Sequence, residues 1–407
     1  MGPLHGIKVL DLGRVLAGPW ATQALADLGA MVYKIEKPGS GDDTRAWGPP
    51  WLKDAAGRDT GESAYYLATN RGKHSVAIDI AAADGQRLIR ALAARCDVLV
   101  ENFKVGGLAK YGLAYSDLAP ANPRLVYCSI SAFGQDGPDA QGAGYDAMIQ
   151  GMGGLMSLTG VPDGEPGAGP QKVGVAVADL MTGMYALSAI VAALYERTSS
   201  GVGQYIDLAL LDTQVAWLAN QSMNYLLSGR APPRQGTAHP NIVPYQSFAT
   251  SDGYLMLAIG NDRQFAAFAS LAGRPQLATD TRYATNAARV AHRAELVPLV
   301  AELIAARTTG EWIAQLAPAA VPCGPINDLA AVFAEPQIRH RQMRIDLAHP
   351  LAGSVPQVRN PIRYSRTALD YQLPPPLLGE HTTAILAGEL GLDQVQLADL
   401  RAQGVIG

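Results

Sequence analysis

Cysteine is scarce. Cys96, Cys128 and Cys323 are too few, odd in number and too far apart for a disulfide framework or a CxxC metal site. That usage fits a reducing compartment. The seven histidines are scattered and none stands at ligand spacing from Cys, Asp or Glu, so no metal is expected. A dominant sign of charge is also missing. The net charge of −4 gives no reason to propose nucleic acid or an anionic membrane as a partner. Asp11 and Arg14 interrupt the N-terminal stretch, which argues against a signal peptide. The one long apolar run, residues 180–195, is short for a bilayer. No GxSxG elbow is present, which argues against an α/β-hydrolase triad. The first glycine turn, GRVLAGP at 13–19, is not the GxGxxG dinucleotide fingerprint. What remains is a cytoplasmic protein of 407 residues and 48% apolar content, with sizeable cores. Its length corresponds to two or three domains at about 150 residues each.

The pattern that is present is α/β. Residues 7–12 read as a strand, 20–28 as a helix ended by Gly29, and 31–35 as a second strand. This βαβ unit opens a doubly wound sheet, with ligands at the strand C-termini. Ala17, Gly18 and Pro19 in the intervening turn let a ligand approach the backbone. Lys37 and Arg45 fall in the loop 36–51, and Arg71 and Lys73 in a turn before a strand at 75–80. A helix at 86–95 and a strand at 98–101 lead to Asn102 and Phe103, with Lys110 beyond, and 125–129 and 204–209 read as further strands. Solvated surface is the simpler account of these cations, but together they suit a ligand with several phosphates.

The stretch QKVGVAVADLMTGMYALSAIVAALYER at 171–197 organises the rest. Residues 173–177 look like a buried strand and 180–195 like a helix that is apolar nearly all round. Asp179 is the only acidic residue between Glu165 and Glu196. A helix N-terminus carries unpaired amides and partial positive charge, which favour a carboxylate anion. Such an aspartate serves either as an N-cap or as an activated nucleophile, and the residues alone leave both open. Asp146 is a candidate acid–base partner. A mostly apolar helix at 210–227 and a composition shift at 228–245 follow. A smaller α/β domain then runs to about residue 332, with a strand at 253–259 and helices at 262–271 and 293–307. A tail carries a helix at 382–390.

Several runs resemble the class III coenzyme A-transferases, a family that includes formyl-CoA and carnitine CoA-transferases and the α-methylacyl-CoA racemases. They include VLDLGRVLAGPWATQALADLGAMVYKIEKPGSGDDTR at 9–45, NRGKHSVAID at 70–79, DVLVENFKVGGLAKYGL at 97–113 and VGVAVADLMTGMYA at 173–186. The resemblance implies a large doubly wound domain over 1–228, a small α/β domain over 229–332, and a segment 333–407 returning to the large one. It implies an interlocked homodimer and Asp179 as the nucleophile, forming an aspartyl mixed anhydride and then an aspartyl-CoA thioester. It further implies no tightly bound cofactor, with the CoA thioester as the substrate. The family's CoA contacts carry over to Arg14, Ala17, Lys37, Asn102, Phe103 and Lys110, with Arg71 and Lys73 as neighbours. Its glycine-rich loop corresponds to Gly236, Thr237, Ala238, His239, Pro240 and Asn241. Racemase members carry a histidine where this chain has Tyr145, a poor base at neutral pH, so transfer is favoured over epimerisation. The run RQGTAHPNIVPYQSF at 234–248 resembles succinyl-CoA:dicarboxylate enzymes of the glutarate type. His239, Arg234 or Arg45 would then meet a distal carboxylate. A CoA-binding protein without catalytic activity is the remaining alternative.

Overall fold

Six short runs of mainly apolar residues form one parallel sheet. They are Lys8–Asp11, Met31–Glu36, Lys73–Ala77, Val98–Glu101, Val126–Ser131 and Tyr205–Ala209. Val98–Glu101 and Val126–Ser131 are buried at every position, as strands covered on both faces must be. This computed structural model describes every residue except Asp370. Strand Lys8–Asp11 lies at the centre of the sheet. On one side it pairs with Met31–Glu36 and then Lys73–Ala77. On the other come Val98–Glu101, Val126–Ser131 and Tyr205–Ala209. The winding therefore reverses between Lys8–Asp11 and Val98–Glu101. A crevice opens at such a reversal, beyond the strand C-termini.

Helices cover both faces. Ala17–Asp27 and Val177–Ser200 pack on one, through Ala21, Leu25, Ala186 and Ile190. Gly183 permits their close approach, since a Cβ there would stand 2.8 Å from the Ala17 carbonyl oxygen. Ala83–Ala93 packs on the other face with the C-terminal helices Thr382–Leu390 and Gln394–Ala402, through Leu88, Leu92, Leu386 and Leu397. Each fully buried leucine contributes roughly 2 kcal/mol. These elements belong to one compact unit: Met1–Leu155, Lys172–Arg230 and Arg339–Gly407. The other unit comprises Met156–Gln171 and Ala231–Ile338. Its antiparallel sheet of Tyr245–Ala249, Tyr254–Ala258 and Cys323–Pro325 closes over Phe248, Leu257, Phe268 and Trp312.

Three local expectations fail. Residues 173–176 are not a strand, because the Val173 amide bonds the Gln150 side chain at 2.9 Å instead of a neighbouring strand. The helix that follows starts at Val177, earlier than its apolar pattern suggested, and runs to Ser200, where Gly201 at φ 78° ends it. It is long and apolar enough to cross a membrane, with mean hydropathy 1.7, yet it packs against the sheet and Ala17–Asp27 as a core helix does. The single helix expected at 210–227 is two, Leu210–Ala216 and Ala219–Ser228, with Ala219 in the left-handed region at φ 47°.

Candidate active site

The turns following the two strands at the reversal are tied together. The Arg14 amide donates to Asn102 Oδ1 at 2.8 Å, and Asn102 Nδ2 donates to the Arg14 carbonyl at 2.7 Å. Buried Glu101 holds the second turn by accepting from the Phe103 amide at 2.8 Å. Val15 sits at φ 68°, a strained backbone for a β-branched residue. Its amide is held by both Asp42 carboxylate oxygens at 3.3 Å. Asp42 in turn forms a fully buried ion pair with Lys34 at 2.9 Å. Burial alone would raise the Asp42 carboxyl, but Lys34 and the Thr44 amide bring it down to about 2. A charged, buried pair thus fixes the loop that carries Arg14. The Arg14 guanidinium lies over the Phe103 ring at 5.2 Å and pairs with Asp43 at 3.1 Å. About half of that side chain is exposed, so the pair is weak and Arg14 is free to exchange partners.

A cavity of about 210 Å³ begins here, with Arg14, Ala17, Asn102, Phe103, Tyr145 and Asp179 in its wall. A second cavity of about 440 Å³ shares Arg14, Asp43 and Phe103 with the first and carries Lys37 and Tyr111. The two meet at the Arg14 turn and together form a groove. Exposed Lys110 lies 4.6 Å from the centre of the ring of Tyr111, which lines the second cavity.

Asp179 is the third residue of its helix rather than the cap. The cap hydrogen bond comes from Asp146, whose Oδ1 accepts from the Ala178 amide at 2.8 Å. Among the described residues no donor reaches the partly buried Asp179 carboxylate. Burial first, and the charge of Asp146 second, push its pKa up to about 7. The expectation that the helix end would favour the anion is therefore corrected: burial and the Asp146 charge outweigh it, and the Ala178 amide of that turn donates to Asp146 instead. Tyr145, 71% exposed, shares the cavity. Tyr65 faces the same carboxylates: burial, then Asp179 and Asp146, push its phenol to about 12. The Trp47 ring meets it edge-on at 5.2 Å.

Three cations expected at the ligand lie elsewhere. Lys73 is fully buried and donates to Asp11 at 3.0 Å, to Asn70 Oδ1 at 2.9 Å and to the Pro19 carbonyl at 3.0 Å. Burial brings it down to about 8 even beside Asp11. Arg71 forks onto Asp27 at 2.8 and 2.7 Å. Arg45 forks onto Glu36 at 2.8 and 2.9 Å, reaches Glu62 at 3.1 Å and lies over the Tyr66 ring at 3.7 Å. Their donors are spent inside the fold, so none is available to a phosphate or a substrate carboxylate. In sequence each looked like a surface cation in a turn, because its acid partner comes from a distant strand, helix or loop.

Gly236, His239 and Asn241 lie in the other unit. Gly236 takes φ 59°, the Asn241 amide donates to His239 Nδ1 at 3.1 Å, and the His239 ring packs on Tyr245 at 5.2 Å. Arg293 clamps this loop by donating to the His239 and Pro240 carbonyls at 2.7 and 2.9 Å. Burial, then Arg293, hold His239 below its ordinary pKa. Arg234 is engaged by Asp163 and the Val161 carbonyl. Val15, Asp43, Tyr65 and exposed Lys104, which also lines the first cavity, were not singled out from the sequence. No pattern of spacing marks them. Among the described residues no group of three His, Cys, Asp or Glu is placed to hold a metal ion.

The profile of CoA-transferase family III matches residues 4–382. Succinate–glutarate CoA-transferase of Agrobacterium fabrum is 52% identical over 385 residues, covering 95% of each chain. Succinyl-CoA:glutarate CoA-transferase of Homo sapiens is 44% identical over 404 residues, 99% of this chain and 90% of that one. The crystal structure of a CAIB/BAIF family protein from Brucella suis superposes with a TM-score of 0.84 at 51% identity, covering 95% of this chain and 99% of that one. The chain belongs to CoA-transferase family III.

Proposed function

We propose that this enzyme moves CoA from succinyl-CoA to a small dicarboxylate, with Asp179 as the covalent carrier. The observation that carries the reading is a carboxylate that no donor among the described residues reaches, in the wall of the cavity that the Arg14–Asn102 turn also lines. A carboxylate is a weak nucleophile in water. One whose proton affinity is raised by burial is more basic once ionised, and so a stronger nucleophile. Arg14, Lys37 and Lys110 meet the CoA phosphates, the lysines as point charges rather than forks. Asn102 and Phe103 hold the turn that the pantetheine arm follows.

Asp179 attacks the thioester carbonyl; the C–S bond breaks and CoA leaves as thiolate, giving a mixed anhydride. The thiolate attacks the Asp179 carbonyl carbon and releases succinate, leaving an aspartyl-CoA thioester. The acceptor carboxylate attacks that thioester and frees the thiolate again. The thiolate then takes the acceptor's acyl carbon, and Asp179 returns as carboxylate. No proton is consumed. Names of relatives support the donor and the acceptor class. The test is a panel of mono- and dicarboxylic acids with succinyl-CoA, read by mass spectrometry of the CoA products. A glutarate-length diacid should give its CoA ester at the highest rate. No transfer to any acid, with deuterium uptake at Cα of a branched acyl-CoA in heavy water, would replace this reading by epimerisation.

The working unit in this proposal is a homodimer. Tyr195 on the Val177–Ser200 helix and Leu226 and Leu227 on Ala219–Ser228 are 78%, 69% and 82% exposed. Exposed apolar side chains such as these support the reading, since a subunit interface would cover them. Sedimentation should show one species at twice 42.8 kDa. A monomer at micromolar concentration would overturn the dimer.

A further inference from the structure

The start of the catalytic helix is built around Asp146. Its Oδ1 accepts from the Ala178 amide at 2.8 Å, one residue before Asp179. Its Oδ2 accepts from Gln150 Nε2 at 2.7 Å. Gln150 is fully buried, and its Oε1 accepts from the Val173 amide at 2.9 Å. One carboxylate thus joins the helix Asp146–Met152 to the first turn of Val177–Ser200, and through Gln150 to the segment leading into it. Both of its oxygens face N–H donors, so only a group that accepts twice fits. An asparagine would turn its amide toward either Ala178 or Gln150 and lose one of the two bonds.

We propose that Asp146 is a positioning residue for the nucleophile: by accepting from the Ala178 amide and from Gln150 it locks the first helical turn and sets its own carboxylate beside the one that reacts. This rests on Asp179 being the nucleophile. The surroundings single out Asp146. From the Ala17–Asp27 helix, the strand Val126–Ser131 and the helix Leu210–Ala216, the cavity wall takes Ala17, Ile130, Ser131 and Leu210, none of them ionisable. Besides Asp179, the ionisable groups lining the cavity are Arg14, Asp43, Lys104 and Tyr145, and Tyr65, from the helix Ala64–Thr69, feels the charge of Asp179. Of these only Asp43 is an acid, and it is paired with Arg14. Burial is the larger reason for the raised Asp179 pKa and the charge of Asp146 the second. Removing that charge must therefore lower the value without returning it to the ordinary range.

The test compares the wild-type enzyme, Asp146→Asn, Asp146→Glu and Asp179→Asn. kcat/KM for succinyl-CoA is followed from pH 5 to 9, and ¹³C-carboxyl NMR of labelled aspartate follows Asp179 without turnover, its signal assigned by loss in Asp179→Asn. In the wild-type enzyme, activity should fall on the acid side with an apparent pKa of about 7. Asp146→Asn should move that limb down by about one pH unit while lowering kcat on the plateau. Asp146→Glu, which keeps the charge, should keep the limb. An Asp146→Asn limb that stays in place while activity falls evenly at every pH would make Asp146 a structural cap and overturn the proposal. If Asp146→Asn does not fold, the NMR titrations of the wild-type enzyme and Asp146→Glu decide: Asp179 titrating near 4 in either one sinks the idea. An Asp179→Asn enzyme with full activity would instead remove the nucleophile reading itself, a separate outcome.

Discussion

Asp179→Asn should abolish transfer, by about 10⁴-fold or more in kcat, while CoA still binds within a few-fold of the wild-type affinity. The amide nearly preserves the shape of the side chain but cannot form an anhydride with the acyl group. Arg14, Asn102 and Phe103, in the wall of the same cavity, keep their side chains. Acyl-CoA trapping with hydroxylamine should mark the Asp179 peptide in the wild-type enzyme and nothing in the variant. An active Asp179→Asn enzyme, or an unmarked peptide in an active wild-type preparation, would sink the covalent route. Folding carries a second signature. The folded pKa of Asp179 stands above its value in an unfolded chain, so ionising it costs stability. That cost is absent below about pH 4 and complete once the pH has risen past about 7. Asp179→Asn should therefore be more stable than the wild-type protein at pH 8, by about 2 kcal/mol after discounting for partial exposure. At pH 4 the two should be equal. Stability equal at both pH values would show that the carboxylate is well solvated.

Lys73→Met should behave in the opposite way, losing stability rather than substrate binding. Its ammonium is enclosed with Asp11, which also accepts from Thr22 Oγ1 at 2.6 Å and the Gly13 amide at 2.9 Å. Removing one member of a buried pair leaves the other charge uncompensated, at a cost of about 3–5 kcal/mol. The melting temperature should drop by about 5–10 °C. KM for succinyl-CoA should stay within about twofold, because no atom of Lys73 lies in the groove. Adding Asp11→Asn should recover part of the loss, since the double change leaves no unpaired charge. A tenfold rise in KM with an unchanged melting temperature would return Lys73 to the phosphate-binding set.

These two residues also show how far the chain could be read without coordinates. The opening βαβ unit was legible because its strands are near-continuous apolar runs and Gly29 stops the helix between them. Asp179 stood out because it is a lone acid in a long apolar helix. Arg14, Ala17, Asn102 and Phe103 were named through the family resemblance, and the structure places all four in the wall of one cavity, after strands at the reversal point. Lys73, Arg71 and Arg45 were misassigned for one physical reason: the identity of a cation says nothing about which acid folds against it. The hairpin Arg344–His349 with Gly353–Val358 went unread as well, since its strands alternate exposed and half-buried residues and carry little apolar signal.

Sequence alone determined the family, the alternation of strand and helix, and the aspartate most worth testing, because these follow from local composition and the order of motifs along the chain. Only the tertiary structure decided which charges are buried in pairs and which line a groove. It alone placed Asp146 on the Ala178 amide, 32 residues away along the chain. The proton affinity of Asp179 depends on that neighbour and on burial, and both are set by packing between segments that no local pattern connects.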